Sequence, residues 1–549
     1  METKVKKTAF LLSLVMCAAV FSSCGSNDKE DGSGHMFDVA LSGNPQSLDP
    51  QFAYDSASNT VIKNLYSGLM RVDESGNVVC CNAENYKVSA NGMVYTFTLR
   101  DDNFWFYDVN DDDVITEEEY FPVTAYDYAF ALKRVLDPRM KSPYREEFSC
   151  IVGAYEVMNG LESTDFAEIH AEDEKTLKIV LNAPNAEFLR IMATAAAYPC
   201  NEEFFNSTKG RYGLDDRSVM SNGAFFVRQW FYDPYGSNNI LYMKRNDTNW
   251  SEVYDIMPSF LSFTIENDEE AIRQVFKEGD VECFTTLNSS PYNTGKYLVQ
   301  GIPATTLGIV FNPENEYFSD INLRKAFALS IDRESLEEKI SDDVITASGI
   351  IPPAVMVHGR SYRELISDKP FCIYDGETAK TCYDTAKNSK NFASLGEMKI
   401  LVNAETIDSS YLHIVTQKWQ ELFGFHIGIE DVSAEEFSQC INSGNYTIAL
   451  YALKGQIAAG SSVIRELENS PVCKGFLSEG SLTEELTACG TVDGLVEKYS
   501  EAEQFIIQSY RFIPLFYKNS YLIADSENED IIYDPFTEAV DYRIAQNYS

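Results

Sequence analysis

Histidine, positive charge and long apolar runs are all scarce in this chain of 549 residues. It has five histidines, and its 44 lysines and arginines are outnumbered by 84 aspartates and glutamates, which gives a formal net charge of −40. Such a surface would repel phosphates, so we expect no nucleic acid partner. We also expect no enzyme, because the sequence has no G-x-S-x-G motif, no phosphate-binding loop and no histidine with metal-ligand spacing. A secreted hydrolase with two catalytic carboxylates stays an alternative, because folding can bring any two carboxylates together and sequence spacing does not reveal such a pair.

The N-terminus has the pattern of an export signal. Lysines precede an apolar stretch at residues 9–21, which is too short to span a bilayer of about 30 Å as a helix. Two serines and Cys24 follow, and the arrangement resembles a bacterial lipobox. We therefore predict a signal peptide over residues 1–23, a lipid on Cys24, and a flexible polar tether over residues 24–36. The alternative is an ordinary cleaved signal, since Phe21 stands where a lipobox usually has leucine.

Length and hydrophobic content indicate two or three domains. A chain of this size exceeds what one core usually serves, and 44% hydrophobic residues are ample for several cores. No later apolar run approaches about 18 residues, so the rest of the chain is expected to be soluble and exported. None of the twelve cysteines has the spacing of a zinc site. Export permits disulfides, and the pairs Cys372–Cys382 and Cys473–Cys489 are the candidates.

Local patterns near the start of the mature chain predict both helix and strand. Asp55 is placed to cap a helix in which Val61, Leu65 and Leu69 recur on one side. Alternating residues on either side of an Asn-Gly pair predict a β-hairpin over residues 86–99. The fold is therefore expected to be mixed α and β from its beginning.

A series of short motifs, in order along the chain, carries a family resemblance. Each motif is weak alone, but together they extend over almost the whole mature chain. They are NPQSLDP at 44–50, NLYSGL at 64–69, AENYKVSANG at 83–92, YTFTLR at 95–100, PVTAYD at 122–127, KRVLDP at 133–138, SNGAF at 221–225, DINLRKAFALSIDR at 320–333, EAEQ at 501–504 and IPLF at 513–516. The order resembles that of the extracellular solute-binding proteins of oligopeptide and dipeptide ABC importers.

The resemblance implies a two-lobed α/β fold like that of the type II periplasmic binding proteins, with an extra subdomain and a cleft between the lobes. The chain would cross between the lobes near residues 301–311 and 511–516, and a ligand would be buried when the lobes close about this hinge. The implied boundaries are lobe 1 at 37–77, 200–300 and 513–549, the lobe 1 subdomain at 78–199, and lobe 2 at 301–512.

The resemblance also implies where a ligand would bind. Peptide receptors of this family hold the ligand main chain between strands at the two sides of the cleft, in the manner of an added strand. One side would be formed by Ser42, Gly43, Asn44, Pro45 and Gln46. The other would be the segment 445–456, with Tyr451, Leu453, Lys454 and Gln456 as candidate contacts, and Trp419 is a further candidate for stacking on the ligand.

Gln456 departs from the family pattern. Peptide receptors of this family usually have an aspartate at the matching position, and it pairs with the ligand's α-ammonium group. A glutamine accepts a hydrogen bond but does not neutralise the charge, and a buried, uncompensated ammonium costs several kcal/mol. Either another carboxylate, such as Glu466 or Glu468, replaces the aspartate, or the ligand has no free amino terminus.

The segment 108–119 has the spacing of a calcium-binding loop. Oxygen ligands would come from Asp108, Asn110, Asp112, the carbonyl of Val114, and Glu119. An aspartate stands where glycine normally makes the sharp turn, and the alternative is a solvated acidic loop. We expect no cofactor to be required, and any bound calcium to be structural.

Together these observations predict a monomeric receptor, attached by its lipid to the outer or periplasmic side of the cell membrane. It would capture peptides and deliver them to the permease subunits of an ABC importer, without changing them chemically. A lipoprotein that senses peptides is the first alternative. Because the same fold carries other ligands, a nickel chelate, haem, an opine or a sugar stays open as the solute.

Overall fold

The computed structural model describes residues 36–107, 116, 119–236, 238–246, 256–366, 371, 373–389, 398–473 and 481–547. Strands and helices alternate throughout this part of the chain, so the predicted α/β class is confirmed. The predicted signal peptide, Cys24 and the tether up to residue 35 lie outside it. Within the described ranges, no helix has both the length and the apolar character needed to cross a membrane.

The secondary-structure elements have the following bounds. The strands are β1 (Met36–Ser42), β2 (Met70–Val72), β3 (Val78–Cys80), β4 (Ala83–Val88), β5 (Val94–Leu99), β6 (Phe104–Phe106), β7 (Tyr120–Pro122), β8 (Ile169–Ala171), β9 (Thr176–Val180), β10 (Phe225–Phe231), β11 (Ile240–Arg245), β12 (Phe260–Glu266), β13 (Cys283–Thr286), β14 (Tyr297–Phe311), β15 (Val344–Thr346), β16 (Met356–Val357), β17 (Arg360–Ser361), β18 (Lys399–Asn403), β19 (Gly428–Val432), β20 (Ile448–Leu453), β21 (Phe512–Asp525), β22 (Asn528–Glu529), β23 (Ile532–Asp534), β24 (Ala539–Asp541) and β25 (Gln546–Asn547). The helices are α1 (Ser56–Leu65), α2 (Ala125–Leu136), α3 (Ala154–Met158), α4 (Phe188–Ile191), α5 (Glu202–Ser207), α6 (Glu269–Glu278), α7 (Ile321–Leu329), α8 (Arg333–Glu337), α9 (Tyr362–Leu365), α10 (Gly376–Ser389), α11 (Leu412–Phe423), α12 (Ala434–Ser443), α13 (Gly460–Asn469), α14 (Leu482–Thr487) and α15 (Val492–Gln508).

One sheet of eleven strands passes through the molecule, in the order β10, β11, β12, β1, β13, β21, β14, β20, β18 and β19, with β15 paired to β21 off this path. Strands β14 and β21 are 15 and 14 residues long and pair antiparallel along most of their length. They contain most of the residues at which the sequence predicts that the chain crosses between lobes, 301–311 and 511–516. We call residues 36–300 and 513–547 lobe 1 and residues 301–512 lobe 2, following the predicted boundaries.

Hydrophobic clusters fill both lobes. Successive residues of a strand point to opposite faces of its sheet. In lobe 2, Leu307 and Ile309 of β14 accordingly enter one cluster, while Val310 enters another on the other face. Ile457 and Ala459 of lobe 2 belong to the main cluster of lobe 1, so the two lobes pack directly against each other.

The local predictions hold except at one boundary. Asp55 caps α1, its carboxylate accepting a hydrogen bond from the backbone N–H of Ser58 at 2.8 Å. The helix ends at Leu65, because the next residue is extended, so the buried Leu69 lies beyond the helix on which it was predicted. The predicted hairpin is confirmed as β4 and β5, with Gly92 at φ +72° in the turn.

Both suggested disulfides are wrong. Cys382, Cys473 and Cys489 are free thiols, and Cys372 lies outside the described residues. Cys473 is buried in a hydrophobic cluster of lobe 2, while the Cys489 Sγ donates a hydrogen bond to a backbone carbonyl at 3.4 Å. Large hydrophobic cores hold a chain of this length without cross-links.

Candidate functional site

A cavity of about 580 Å³ lies where the two lobes and the crossing strand β14 meet, and its volume is typical of a small-molecule site. Apolar side chains from both lobes form much of its wall. Lobe 1 contributes residues from α1, from 72–76, from 190–198 and from 530–539, β14 contributes Gln300, Ile302 and Pro303, and lobe 2 contributes residues from 353–356 together with Ile457 and Ala458.

A few charged groups interrupt this wall. Two of its carboxylates are engaged in their own loops: Asp73 accepts two backbone N–H bonds at 2.8 and 3.0 Å, and Asp534 accepts a backbone N–H at 3.0 Å and a threonine hydroxyl at 2.8 Å. The cations on the wall are Lys63 and Arg190. Arg190 donates to the carbonyl of Gly76 at 2.9 Å, and burial lowers the pKa of its guanidinium group.

Beside the cavity, polar side chains of the two lobes meet in what we call the bridging cluster: Glu147 and Glu187 of lobe 1 with Ser462, Arg465 and Tyr499 of lobe 2. All but Tyr499 are polar or charged, and all five are buried. Glu147 accepts from the Ser462 hydroxyl at 2.6 Å and forms an ion pair with Arg465. Glu187 accepts from the Tyr499 hydroxyl. Burial raises the pKa of Glu187 despite these hydrogen bonds.

The first predicted side of the site lies at the C-terminal end of β1, outside the described wall of the cavity. Ser42 and Gln46 are exposed there. Gly43 has φ +103° and donates its N–H to Glu266 of the neighbouring strand at 2.8 Å. The Asn44 side chain accepts from the Trp230 indole at 2.8 Å, so it is fixed in position.

The second predicted side is the end of β20. This strand pairs with β14 along residues 448–453, but with β18 only at Ile448 and Ala449. Beyond that point, no strand among the described residues pairs with this edge of β20. Tyr451 is half-buried, and Leu453 is buried in a lobe 2 cluster, so Leu453 can offer a ligand only its backbone.

Trp419 needs correction as a ligand contact, and Lys454 has a partner within the protein. The Lys454 ammonium group lies 2.7 Å from the Glu538 carboxylate of lobe 1 and is therefore already paired. Trp419 is fully buried in the core of lobe 2, where it packs on the ring of Phe327 at 4.7 Å between centroids. Its indole donates to the Phe327 carbonyl at 3.4 Å, which leaves no ring surface for a ligand.

The structure distinguishes the two carboxylates that were named as replacements for the family aspartate. Glu468 accepts four hydrogen bonds from Ser481, Leu482 and Thr483 at the start of α14, so it has a structural role. Glu466 is half-buried and receives a hydrogen bond from the side chain of Gln456. Burial raises the pKa of Glu466, which indicates that its negative charge is incompletely compensated.

Most of the predicted calcium loop cannot be placed. Asp108, Asn110, Asp112 and Val114 lie outside the described residues. Glu119 is buried, and its carboxylate accepts two hydrogen bonds from Thr116 at 2.8 and 2.9 Å. Elsewhere in the described ranges, no group of three or more His, Cys, Asp or Glu side chains is suited to hold a metal.

Sequence reasoning missed Lys63, Arg190 and the bridging cluster. Glu147 and Glu187 meet partners more than 270 residues later in the chain, so no local spacing marks them. Lys63 lies one helical turn after Asn59 on α1, and both residues line the cavity. This i, i+4 spacing is the one feature of the sequence that indicates that they face the same side.

Comparisons with known proteins agree with this geometry. The family model described as bacterial extracellular solute-binding proteins, family 5 Middle, matches residues 77–469. The oligopeptide-binding protein OppA of Bacillus subtilis is 26% identical over 453 residues, which is 80% of this chain and 79% of that protein. The dipeptide-binding protein DppE of the same organism is 22% identical, over 93% of this chain and 92% of its own.

Solved structures share the fold. That of the pheromone receptor PrgZ has a TM-score of 0.71 at 23% identity, covering 94% of this chain and all of the other. The unliganded open form of the murein tripeptide binding protein MppA has the same TM-score at 21% identity and covers 94% of this chain and 98% of its own. The two-lobed α/β fold predicted from the sequence is thereby confirmed. Because the family model matches most of the chain, this protein belongs to the bacterial extracellular solute-binding proteins of family 5.

Proposed function

We propose that this protein captures peptides between its two lobes and delivers them to an ABC permease without altering them. The observation that carries the proposal is the cavity of about 580 Å³, which is walled by both lobes and by β14. A ligand in that position contacts both lobes at once, so binding favours closure. The relatives named above as oligopeptide-binding and dipeptide-binding proteins support a peptide as the solute.

A peptide main chain suits the edge of β20, the strand that ends four residues before Ile457 of the cavity wall. The backbone of β20 after Ala449 offers N–H and C=O groups in a row, as strand addition requires. Main-chain hydrogen bonds are independent of the ligand's side chains, so one receptor can accept many peptides. The apolar wall of the cavity would then accommodate side chains of different shapes.

We assign the peptide's amino terminus to Glu466 rather than to Glu468. Glu468 already holds the start of α14, whereas Glu466 is half-buried beside Gln456 with a raised pKa. An ammonium group next to Glu466 would supply the positive charge that this carboxylate lacks. Gln456 would orient the carboxylate through the hydrogen bond between them.

The predictions for the N-terminus and for the acidic loop belong to the same proposal. A lipid on Cys24 would hold the monomeric protein at the outer or periplasmic side of the membrane, close to the permease. Calcium at residues 108–119 would be structural. A sensing role is the second candidate, since one structural neighbour is a pheromone receptor.

The first experiment is native mass spectrometry of the lipid-anchored protein, solubilised from its own membranes. We expect bound masses that fit peptides, and an added acyl mass at Cys24 that is lost in a Cys24→Ala variant. A copurified nickel chelate, haem, opine or sugar would overturn the peptide assignment. Uptake of labelled peptides should fall when either this protein or the permease is removed, and unaffected uptake would favour the sensing role.

A further inference from the structure

A loop of lobe 1 lies directly against lobe 2, away from the cavity. We call residues 182–187, which connect β9 to α4, the docking loop. The backbone N–H of Ala186 donates a hydrogen bond to the carbonyl of Cys489 in lobe 2 at 2.7 Å. Neither the docking loop nor Cys489 is among the described residues that line the cavity. The two lobes therefore meet here, backbone to backbone, at a place that a ligand in the cavity does not touch.

Pro184 of the docking loop and Gly490 of lobe 2 are in very close contact. A Cβ added at Gly490 would lie 2.6 Å from the Cβ of Pro184, well inside the usual separation of two carbon atoms. Apart from its chain neighbours, the three atoms nearest to this added Cβ all belong to Pro184. The φ of Gly490 lies outside the left-handed region, so the backbone of lobe 2 would accept an alanine. Only the proximity of lobe 1 requires a glycine at this position.

Both sides of the contact are fixed by their own lobe. In the docking loop, the backbone N–H of Asn182 donates to a carbonyl of lobe 1 at 2.8 Å. The Asn185 side chain accepts a hydrogen bond from the backbone N–H of Glu187, also at 2.8 Å. On the other side, Thr491 follows Gly490 and caps α15, its hydroxyl accepting from a backbone N–H of that helix at 3.3 Å. Neither surface can move without breaking hydrogen bonds within its own lobe.

We propose that the docking loop is the stop that sets how far the two lobes close on a ligand, and that closure ends where Pro184 meets Gly490. The inference rests on the proposed function, in which the lobes close about a hinge. Packed protein atoms resist compression, so two fixed surfaces in contact define the end of a hinge motion. The hydrogen bond between Ala186 and Cys489 forms at that end point and stabilises it. Peptide affinity then depends on residues that do not touch the peptide.

Gly490→Ala tests the stop, because its methyl group meets Pro184 before the lobes reach their present separation. The full-length protein is equilibrated by dialysis with a synthetic pool of random tri- to hexapeptides, and the retained peptides are quantified by mass spectrometry. We expect the dissociation constant of the pool to rise roughly five- to a hundredfold, the range that overpacking of a close contact produces. Gly428→Ala is the matched control in lobe 2, since its new Cβ meets only the Lys399 side chain of the same lobe, and it should bind as the wild type does.

Pro184→Gly separates the stop from damage within lobe 2. Without the proline ring, the nearest remaining atom is the Cα of residue 184, at 3.8 Å from the new Cβ, which is an ordinary contact. Adding Gly490→Ala to Pro184→Gly should therefore cause no further loss of binding, whereas a defect inside lobe 2 would persist in this background. Circular dichroism verifies that each variant is folded.

Amide hydrogen exchange of residues 182–189, measured by mass spectrometry, reports the contact itself. Bound peptides should slow exchange in this segment of the wild type, because the Ala186 N–H is then bonded to lobe 2, and Gly490→Ala should lose this protection. Unchanged exchange in the wild type, equal binding by Gly490→Ala and Gly428→Ala, or a loss that persists beside Pro184→Gly would each overturn the stop while leaving peptide binding intact. Absence of peptide binding by the wild type would overturn the proposed function and the stop together.

Discussion

Trp419 shows that the position of an aromatic residue on a helix decides its role. It lies on α11 with the buried residues Leu412, Val415 and Phe423, all on one side at helical spacing. That side packs into the core of lobe 2, so the tryptophan is a core residue. The spacing is visible in the sequence, and it would have indicated the core more reliably than the identity of the side chain.

Replacing Trp419 tests this assignment. Trp419→Ala should lower the free energy of unfolding by about 3–5 kcal/mol, because it leaves a large cavity beside Phe327. Trp419→Phe should cost less, since most of the ring volume is kept. Urea unfolding followed by circular dichroism measures both effects. If a variant lost peptide affinity while its stability was unchanged, Trp419 would be a ligand contact and not a core residue.

Glu466 and Glu468 provide a matched pair for the amino terminus. Glu466→Gln should weaken binding of peptides with a free amino terminus by about tenfold or more, through loss of a charge-assisted contact, and should leave N-acetylated peptides unaffected. Glu468→Gln should instead lower stability, because several hydrogen bonds at the start of α14 depend on its carboxylate. Calorimetric titration and thermal unfolding distinguish the two. Identical behaviour of the two variants would contradict the assignment.

At the scale of elements, the sequence predicts features that neighbouring residues determine, but it does not predict contacts between distant segments. Asp55 as a helix cap and the Asn-Gly turn are fixed by neighbouring residues, so the sequence predicts them. The end of β20 was placed by family resemblance, and its open edge fits that role. Whether Lys454 contacts a ligand or Glu538 depends on how closely the lobes approach, and no local pattern encodes that distance.

The contact between the crossing strands predicts a sensitive glycine. A Cβ added at Gly308 of β14 would collide with the ring of Phe512 on β21. Gly308→Ala should therefore destabilise the protein by about 1–3 kcal/mol. Gly428→Ala on β19 is the control, because its new Cβ would meet only the flexible Lys399 side chain at 3.3 Å. Equal urea midpoints for the two variants would show that β14 and β21 separate readily at this point.

At the scale of the whole molecule, we expect the bridging cluster to couple lobe closure to pH. Burial raises the pKa of Glu187 above its ordinary value of 4.5 in this structure, in which side chains of lobe 2 contact it. The closed state therefore holds the proton more tightly than an open state in which Glu187 is in water. Closure is favoured below pH 4.5 and loses stability as the pH rises through the raised pKa.

Small-angle X-ray scattering of the ligand-free protein can follow this effect. The radius of gyration should increase between about pH 4.5 and pH 7 as the lobes separate. Glu187→Gln imitates the protonated form, so it should remain more compact at pH 7 and show a weaker pH dependence. Glu466 also has a raised pKa and should account for part of the pH dependence that remains in this variant. If the radius of gyration rose equally in the wild type and in Glu187→Gln, Glu187 would not be the group that couples closure to pH.

The ion pair between Glu147 and Arg465 gives the strongest test of closure, because it joins the lobes where water is excluded. Arg465→Met leaves Glu147 buried and uncompensated, at a cost of about 3–5 kcal/mol. Each lobe keeps its own core, so the penalty should fall on closure, and peptide affinity should drop by roughly a hundredfold to several thousandfold. Lys399→Met breaks an exposed pair with Glu430 as the control and should leave affinity nearly unchanged. Peptide affinity in Arg465→Met equal to that of the control would mean that the lobes close on a ligand without this pair.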